Sequence, residues 1–210
     1  PKPLSDYAAP PLIRPTSCLQ PRRDDACSSM RYRRLTHPGQ EYFFTVVTAG
    51  RRPVFADPER IALLRAVIRS VRRAHPFTIT AAVVLPDHLH AIWRLPEEDG
   101  DHPMRWRLIK RAFSIRSRLA PAGPTPATAR GYRGIWQHRH WEHMIRDDAD
   151  RQRHIDYIHM NPVKHGYVRD AVDWPWSSIH SFIRRGDYAQ PDGAGGYVLP
   201  AFGDETDHGE

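Results

Sequence analysis

The sequence is poor in the features that hold small secreted proteins together or carry chains across membranes. It contains two cysteines, Cys18 and Cys27, which are too few for a disulfide framework or a cysteine-rich zinc site. No segment approaches the roughly 18 consecutive apolar residues of a transmembrane helix, and the N-terminal residues lack the charged-then-apolar pattern of an export signal. We therefore expect a cytoplasmic protein that does not contact a membrane.

Acidic residues are outnumbered by basic ones. The chain has 31 Lys and Arg against 24 Asp and Glu, which gives a formal net charge of +7. This excess favours a polyanionic partner such as nucleic acid. The six Trp and eight Tyr add stacking surfaces that, together with guanidinium groups, suit unpaired bases.

The length and composition indicate one domain between two tails, because 210 residues are typical of a single folded unit. Residues 1–29 show no sustained hydrophobic periodicity, and we expect them to form a disordered extension. Residues 187–210 are acidic and rich in glycine, and we expect a flexible tail there. Residues 30–186 form the predicted domain.

Hydrophobic periodicity within this domain predicts seven elements in the order β-α-β-β-α-β-α. The strands are predicted at 41–48, 77–85, 88–95 and 135–145. The first helix is predicted to start near Pro58 and the second to span 104–119. The third is predicted to run from Asp147 or Asp148 to about Asn161, because Pro162 disfavours continuation. This order predicts an α+β fold of the ferredoxin-like class, in which helices cover one face of an antiparallel sheet.

Two histidines lie on one face of the third predicted strand. Because side chains alternate along a strand, His88 and His90 project to the same side, while Leu89 points to the other. Two imidazoles side by side on a rigid strand are a natural pair of metal ligands. The same pattern also occurs as two ordinary polar residues at a strand end, so it indicates a metal site only when other candidate ligands join it.

The last predicted helix supplies such residues. Tyr157 and Asn161 are four positions apart, so they share one helix face, with His154 beside them. A phenol and a carboxamide at this spacing place a nucleophile and a metal ligand on one surface. A single tyrosine is more often structural and half-buried, and the combination with the histidine pair is what favours chemistry here.

Several segments resemble a known family. The run PDHLH at 86–90 is similar to the histidine–hydrophobic–histidine (HUH) motif of single-tyrosine transposases. The run YIHMNPVKHG at 157–166 is similar to the tyrosine helix of the REP-associated tyrosine transposases. The resemblance extends from about Met30 to Tyr188. It also includes YFFT at 42–45, WQ at 136–137 and SS at 177–178.

The resemblance implies an activity and its residues. It implies that Tyr157 is the nucleophile and that His88 and His90 bind a metal ion, with Asn161 as the third protein ligand. The implied reaction is metal-dependent cleavage and transfer of single-stranded DNA through a 5′-phosphotyrosine, with Mg²⁺ or Mn²⁺ as the ion. The implied substrate is a repetitive extragenic palindrome (REP), a DNA hairpin beside a short single-stranded guide tetranucleotide. The sequence leaves open whether the protein is a monomer or a homodimer.

Other polar residues have less specific patterns. His154, one turn before Tyr157, could assist proton transfer, contact phosphate or be solvated. His138 and His140 share a face of the fourth predicted strand and could form a second metal site, although a place beside DNA or the cleft is favoured. The basic residues that we expect to contact DNA phosphates are Arg31, Arg33, Arg34, Arg105, Lys110, Arg111 and Lys164.

Three functions are compatible with these patterns. The favoured one is a transposase or single-strand endonuclease. The first alternative is a DNA-binding protein of the same fold that does not cleave, which would need none of the candidate catalytic residues. The second is a metal-dependent hydrolase that uses water and has Tyr157 in a structural role, and it would remain active in a Tyr157→Phe variant.

Overall fold

In a computed structural model of the chain, residues 36–120 and 134–188 are described. These residues form four strands and four α-helices. The strands are β1 (Glu41–Val47), β2 (Thr78–Val84), β3 (His88–Arg94) and β4 (Trp141–Met144), and the helices are α1 (Pro58–Ala74), α2 (His102–Arg116), α3 (Asp148–Lys164) and α4 (Ile179–Arg185). Within the described ranges, no helix is both long and apolar enough to cross a membrane.

The strands form one antiparallel sheet in the order β2-β3-β1-β4. Helix α1 connects β1 to β2, and α2 connects β3 to β4. This is the βαββαβ arrangement, so the predicted α+β, ferredoxin-like fold is confirmed. Strand β3 is central and pairs with β1 along its whole length, from the Arg94–Glu41 pair to the His88–Val47 pair. The candidate metal ligands on β3 are therefore held by neighbouring strands on both sides.

An aspartate caps the start of each of the three longer helices. Side-chain oxygens of Asp57, Asp101 and Asp147 accept hydrogen bonds of 2.8, 2.8 and 2.7 Å from backbone N–H groups in the first turn. Such a cap satisfies a donor that the helix itself leaves unpaired, and it stabilises the helix by about 1 kcal/mol. The cap at Asp57 agrees with the predicted start of α1 at Pro58.

One face of the sheet packs against α1 and α2. Its buried cluster contains Phe44 of β1, Trp93 of β3 and Trp106 of α2. The Trp93 and Trp106 rings are stacked with 4.1 Å between centroids. Helix α1 contributes apolar residues at helical spacing, namely Ile61, Leu64, Val67 and Val71. We call this the aromatic face.

The opposite face is also covered, so the prediction of helices on one face only is wrong. Helices α3 and α4 pack there, and Phe43 of β1, Ile92 of β3 and Ile158 of α3 belong to one buried cluster. The physical reason is that Phe43 and Ile92 are large apolar side chains on this second face, and the hydrophobic effect requires a further layer over them. Since β3 also places His88 and His90 on this side, we call it the histidine face.

Helix α3 extends one turn further than predicted. It continues through Pro162 to Lys164, so the predicted end near Asn161 is wrong. Pro162 lies in the last turn and removes only one donor. The helix instead ends before Gly166, which has a φ of 69°, and the N–H of Tyr167 donates to the carbonyl of Pro162 over 2.9 Å. This is the usual glycine-terminated helix end.

The outer strand β4 is shorter than predicted. Strand β4 covers only Trp141–Met144, and Trp136 makes an isolated bridge to Thr48 instead of continuing the strand. On the other edge, the N–H of Ser178 donates to the carbonyl of Ala82 in β2 over 2.8 Å. The segment before α4 thus covers the outer edge of β2.

Candidate active site

The histidine pair lies at the centre of the histidine face. His88 and His90 are 1% and 0% exposed, and their ring centroids are 5.0 Å apart. Each ring is oriented through Nδ1. His88 Nδ1 lies 2.6 Å from Asp87 Oδ1, and His90 Nδ1 lies 3.0 Å from Thr45 Oγ1. In both rings Nε2 is therefore the nitrogen that would coordinate a metal ion.

The carboxylate beside His88 is ionised and acts as an acceptor. Burial raises the pKa of Asp87, but the hydrogen bond with His88 and the charge of Arg51 outweigh burial and hold this pKa below its ordinary value. A carboxylate that accepts from Nδ1–H fixes the tautomer with its lone pair on Nε2 and makes that nitrogen a better ligand. The Nε2 atom of His88 is buried and has no hydrogen-bond partner, which fits a metal ligand.

Helix α3 brings the candidate nucleophile to this pair. The Tyr157 ring is 5.2 Å from the His90 ring, and the His165 ring, two turns later, is 5.1 Å from the His88 ring. Asn161 lies between Tyr157 and His165 on the same stripe of the helix and is fully buried. The structure thus brings Tyr157, His88 and His90 together and places Asn161 on the stripe of α3 that faces the two histidines.

A lysine lies over the candidate nucleophile. Lys164 Nζ is 4.9 Å from the centroid of the Tyr157 ring, and the Lys164 side chain is exposed. This is a cation–π contact, and a positive charge at this distance favours the phenolate form of a tyrosine. We predicted Lys164 to contact DNA, and its place at the rim of the site is compatible with that prediction.

A second cluster of ligand-type side chains lies beside the site. The ligating atoms of His143, Asp150 and His154 are within 4.8 Å of one another, so the cluster could hold a metal ion. However, Asp150 already accepts hydrogen bonds from Arg146, at 3.0 Å from its N–H, and from Arg153, at 3.2 Å from Nη2. A metal ion would have to displace these donors, so we interpret the cluster as an ion-paired start of α3.

His154 itself is buried, with Nδ1 2.8 Å from the carbonyl oxygen of Asp150. Burial lowers the pKa of His154 below its ordinary value, so the ring is neutral at pH 7. It also contacts Phe43, with 4.7 Å between ring centroids. These contacts place His154 at the edge of the candidate site, and its accessory role stays a prediction.

The structure corrects one of the predicted DNA contacts. Arg105 is fully buried, and its guanidinium donates to the carbonyl oxygens of Asp101 and Pro76 at 3.0 and 2.9 Å and to Asp99 Oδ2 at 2.8 Å. It holds the chain around the start of α2 and is not accessible to a phosphate. The sequence did not reveal this because Arg105 shares a basic helix with exposed arginines.

The other predicted DNA contacts lie in different places. Lys110 and Arg111 are on α2, on the aromatic face, and Lys110 Nζ donates to the carbonyl of Gln137 over 3.1 Å. Arg31, Arg33 and Arg34 are outside the described residues. For these five residues the DNA contact stays a prediction.

His138 and His140 do not form a second metal site in the described structure. His138 is exposed, whereas His140 is buried on the aromatic face, 5.9 Å from the Trp106 ring. The prediction assumed a regular strand through both residues, and the strand begins only at Trp141. His140 is therefore part of the core and not of the cleft.

Known proteins resemble the chain over most of its length. It is 44% identical over 157 residues to the REP-associated tyrosine transposase of Escherichia coli K12, which covers 75% of this chain and 87% of that protein. The chain belongs to the family of REP-associated tyrosine transposases. A second member, from Haemophilus influenzae, is 39% identical over 161 residues, or 76% of this chain and 90% of that protein. No family model matches the sequence.

A solved structure agrees with this assignment. The structure of a REP-associated tyrosine transposase bound to a REP hairpin matches the chain with a TM-score of 0.63 and 42% identity, covering 81% of this chain and 93% of that one. The predicted family resemblance is therefore confirmed.

Three residues were not identified as part of the site from sequence. Asp87 and Thr45 orient the two histidines, and His165 lies beside His88. Asp87 could have been found, because a carboxylate next to a ligating histidine is a common supporting partner. Gly166 could have indicated that the helix ends late enough to place His165 at its C-terminal cap. Thr45 comes from another strand, and only the register of β1 against β3 brings it to His90.

Proposed function

We propose that this protein cleaves and rejoins single-stranded DNA with Tyr157 as the nucleophile. The observation that carries the proposal is the position of the Tyr157 ring, 5.2 Å from that of His90. The neighbouring His88 has a buried ring nitrogen without a hydrogen-bond partner. A phenol beside a pair of oriented imidazoles suits metal-dependent phosphodiester cleavage.

We assign a divalent ion to His88, His90 and Asn161. Two imidazole nitrogens and one amide oxygen leave coordination positions for water and phosphate, and Mg²⁺ or Mn²⁺ fits such a set. The bound ion would supply Lewis-acid polarisation of a non-bridging phosphate oxygen. The ion-paired cluster around Asp150 is not needed for this role.

The covalent step is a transfer between two oxygens. The Tyr157 hydroxyl oxygen attacks phosphorus, a bond from this oxygen to phosphorus forms, and the bond from phosphorus to the 3′ oxygen breaks. The phenol loses its proton and the departing 3′ oxygen gains one, so the products are a 5′-phosphotyrosine and a 3′-hydroxyl. Because the new ester retains the bond energy of the phosphodiester, a 3′-hydroxyl can reverse the step and rejoin strands without ATP.

Lys164 supports this step. A phenol has an ordinary pKa near 10 and is protonated at pH 7, so its ionisation must be favoured by its surroundings. The ammonium group 4.9 Å from the Tyr157 ring centroid adds positive charge beside the phenol and so favours its ionised form.

We further propose that the substrate is a REP hairpin with a single-stranded flank. The support is the 42% identity to a relative whose solved structure contains a REP hairpin, together with the excess of basic residues. Since Tyr157 and His90 of one chain are already in contact, we propose that a monomer is sufficient for cleavage.

A labelled-oligonucleotide assay tests the reaction. The protein is incubated with Mn²⁺ or Mg²⁺ and a single-stranded oligonucleotide that carries a REP hairpin, labelled at either end, and the products are separated on a denaturing gel. We expect the 3′ label to migrate with the protein and the 5′ label to migrate as a shortened fragment, because the tyrosine holds the 5′ phosphate. Chelation of the metal should abolish both products.

Two variants provide the controls. Tyr157→Phe should form no adduct, whereas Tyr42→Phe should retain it, because Tyr42 is buried on the aromatic face. Cleavage without an adduct that survives Tyr157→Phe would support a hydrolase that uses water. Binding of the oligonucleotide without cleavage in any metal would support the non-cleaving DNA-binding protein.

A further inference from the structure

A strained arginine lies next to the candidate metal ligands. Arg51 follows β1 at the end of a short turn, Ala49–Arg51, and has a φ of 50°. This is the left-handed region, which residues with a side chain rarely adopt and which glycine adopts without strain. Within the described ranges, Arg118 is the other non-glycine residue with a positive φ, of 53°. Arg118 follows the last turn of α2, where a left-handed residue commonly ends a helix.

The Arg51 side chain is connected to the site through Asp87. Arg51 Nη1 is 3.4 Å from Asp87 Oδ2, and Asp87 Oδ1 is 2.6 Å from His88 Nδ1. The two oxygens of one carboxylate thus link the guanidinium to the ring of a candidate metal ligand. This connection gives the strained residue a position in the site, and strained residues cluster at sites where a side chain must be held in place.

The ion pair leaves part of the Arg51 guanidinium accessible to a ligand. The Arg51 side chain is 41% exposed, and 3.4 Å is long for a charge-assisted hydrogen bond, which is typically about 2.7–2.9 Å. The contrast with Arg105 is informative, because that buried guanidinium donates to three oxygens within 3.0 Å. A planar group with five donors and one long contact to a carboxylate is suited to receive a phosphate.

We propose that Arg51 binds a backbone phosphate next to the scissile one and so sets the register of the DNA strand on Tyr157. The Asp87 carboxylate separates the guanidinium from the His88 ring, so we place Arg51 beside the metal position and not on the phosphate that the metal would hold. It is instead placed for a neighbouring phosphate of the same strand. Arg51 is a positioning residue, and this inference rests on the proposed function.

Binding measurements in a Tyr157→Phe background test Arg51 without the complication of cleavage. Affinity for the REP-hairpin oligonucleotide is measured over a range of NaCl concentrations for Arg51→Gly, Arg51→Lys and Arg118→Gly. We expect Arg51→Gly to weaken binding about tenfold. The slope of log affinity against log salt should also fall by about 0.7, which corresponds to one lost phosphate contact on a single strand. Arg51→Lys should retain most of the salt dependence of the parent, because it keeps the positive charge.

The glycine variants are matched controls for folding. Both glycines accept the left-handed backbone, so neither variant should have a lower thermal midpoint than the parent. Arg118→Gly should bind DNA like the parent. Equal affinity and equal salt slope in Arg51→Gly and the parent would overturn the proposal.

A neutral phosphate analogue identifies the contact directly. A methylphosphonate is placed in turn at each phosphate near the cleavage position. We expect the parent to lose affinity at one position next to the scissile phosphate and Arg51→Gly to be insensitive there. The same sensitivity in both proteins at every position would contradict the proposal.

If the wild-type protein forms no adduct but the Arg51 effects are seen, the proposed function fails and the phosphate contact stands. If adducts form and the Arg51 effects are absent, this inference alone fails.

Discussion

The two faces of the sheet are built from the same strands but use their buried side chains differently. On the aromatic face, large rings fill the space between β3 and α2, as in the Trp93–Trp106 stack. On the histidine face, the rings that meet between β3 and α3 are imidazoles and a phenol, as in the His90–Tyr157 contact. The alternation of side chains along β3 separates the two sets. One strand thus serves the core and the site at once.

The two faces also differ in the chemistry of a buried nitrogen. Trp106 Nε1 on the aromatic face and His88 Nε2 on the histidine face are both buried without a hydrogen-bond partner. An indole nitrogen is only a donor, so it offers nothing to a cation. The His88 nitrogen, with Nδ1–H directed to Asp87, carries a lone pair that can bind a metal ion. The chemistry of these two atoms, and not their burial alone, makes the His88 nitrogen and not the Trp106 nitrogen a candidate ligand.

The largest effect on stability is expected on the aromatic face. Trp93→Ala should lower the free energy of unfolding by about 3–5 kcal/mol, because it removes a fully buried ring and leaves a cavity. Urea denaturation measures this loss. A decrease below about 1 kcal/mol would contradict the assignment of Trp93 to the principal core.

After loss of the Tyr157 hydroxyl, the next largest effect on activity is expected from loss of a metal ligand on the histidine face. His88→Ala should slow adduct formation on the order of a hundredfold, since loss of a metal ligand weakens stabilisation of the transition state by a few kcal/mol. Gel assays under single-turnover conditions measure the rate. His75→Ala, at the end of α1, is the histidine control and should react like the wild type. Normal rates for His88→Ala would remove His88 from the site.

A smaller effect, on metal affinity, is expected for Asp87, which contacts a candidate metal ligand but is not one itself. Asp87→Asn keeps the shape of the side chain but removes the charge that orients His88, and loss of such a partner typically weakens metal affinity about 10- to 100-fold. Isothermal titration calorimetry with Mn²⁺ measures the metal affinity of both proteins. Unchanged affinity would show that the strand alone orients His88.

A last effect concerns the stability of the histidine face in acid. His159 on α3 lies 2.6 Å from the Tyr188 hydroxyl and 2.8 Å from Ser178 Oγ. Burial, with smaller effects of the charges of Arg185 and His180, lowers the pKa of His159 to about 3. An unfolded chain protonates this histidine below about pH 6.5. The contribution of the neutral His159 to the free energy of unfolding should therefore be complete above that pH. It should be lost as the pH falls towards 3.

The slope of this loss is at most about 1.4 kcal/mol per pH unit. His159→Gln should remove that contribution, so the variant should lose less stability than the wild type between pH 7 and pH 4. Urea denaturation at both pH values measures the difference. Parallel losses in the two proteins would show that His159 is protonated in the fold.

Local patterns predicted much of the molecule. Strand periodicity placed His88 and His90 on one face of β3, and helical spacing placed Tyr157 and Asn161 on one face of α3. The errors arose where distant segments decide the outcome. Arg105 is buried because Pro76 and residues before α2 surround its guanidinium, and no spacing within a basic helix reveals such partners.

The sequence by itself determined the chemical groups and their order on each element, because alternation in strands and the turn of a helix are local properties. It also determined the family, since YIHMNPVKHG at 157–166 and PDHLH at 86–90 are specific runs. Only the tertiary structure decided that α3 covers the second face of the sheet, that the Tyr157 ring lies beside His90, and that a strained Arg51 reaches Asp87. These contacts join residues far apart in the chain, and packing of the apolar side chains around them fixes the distances.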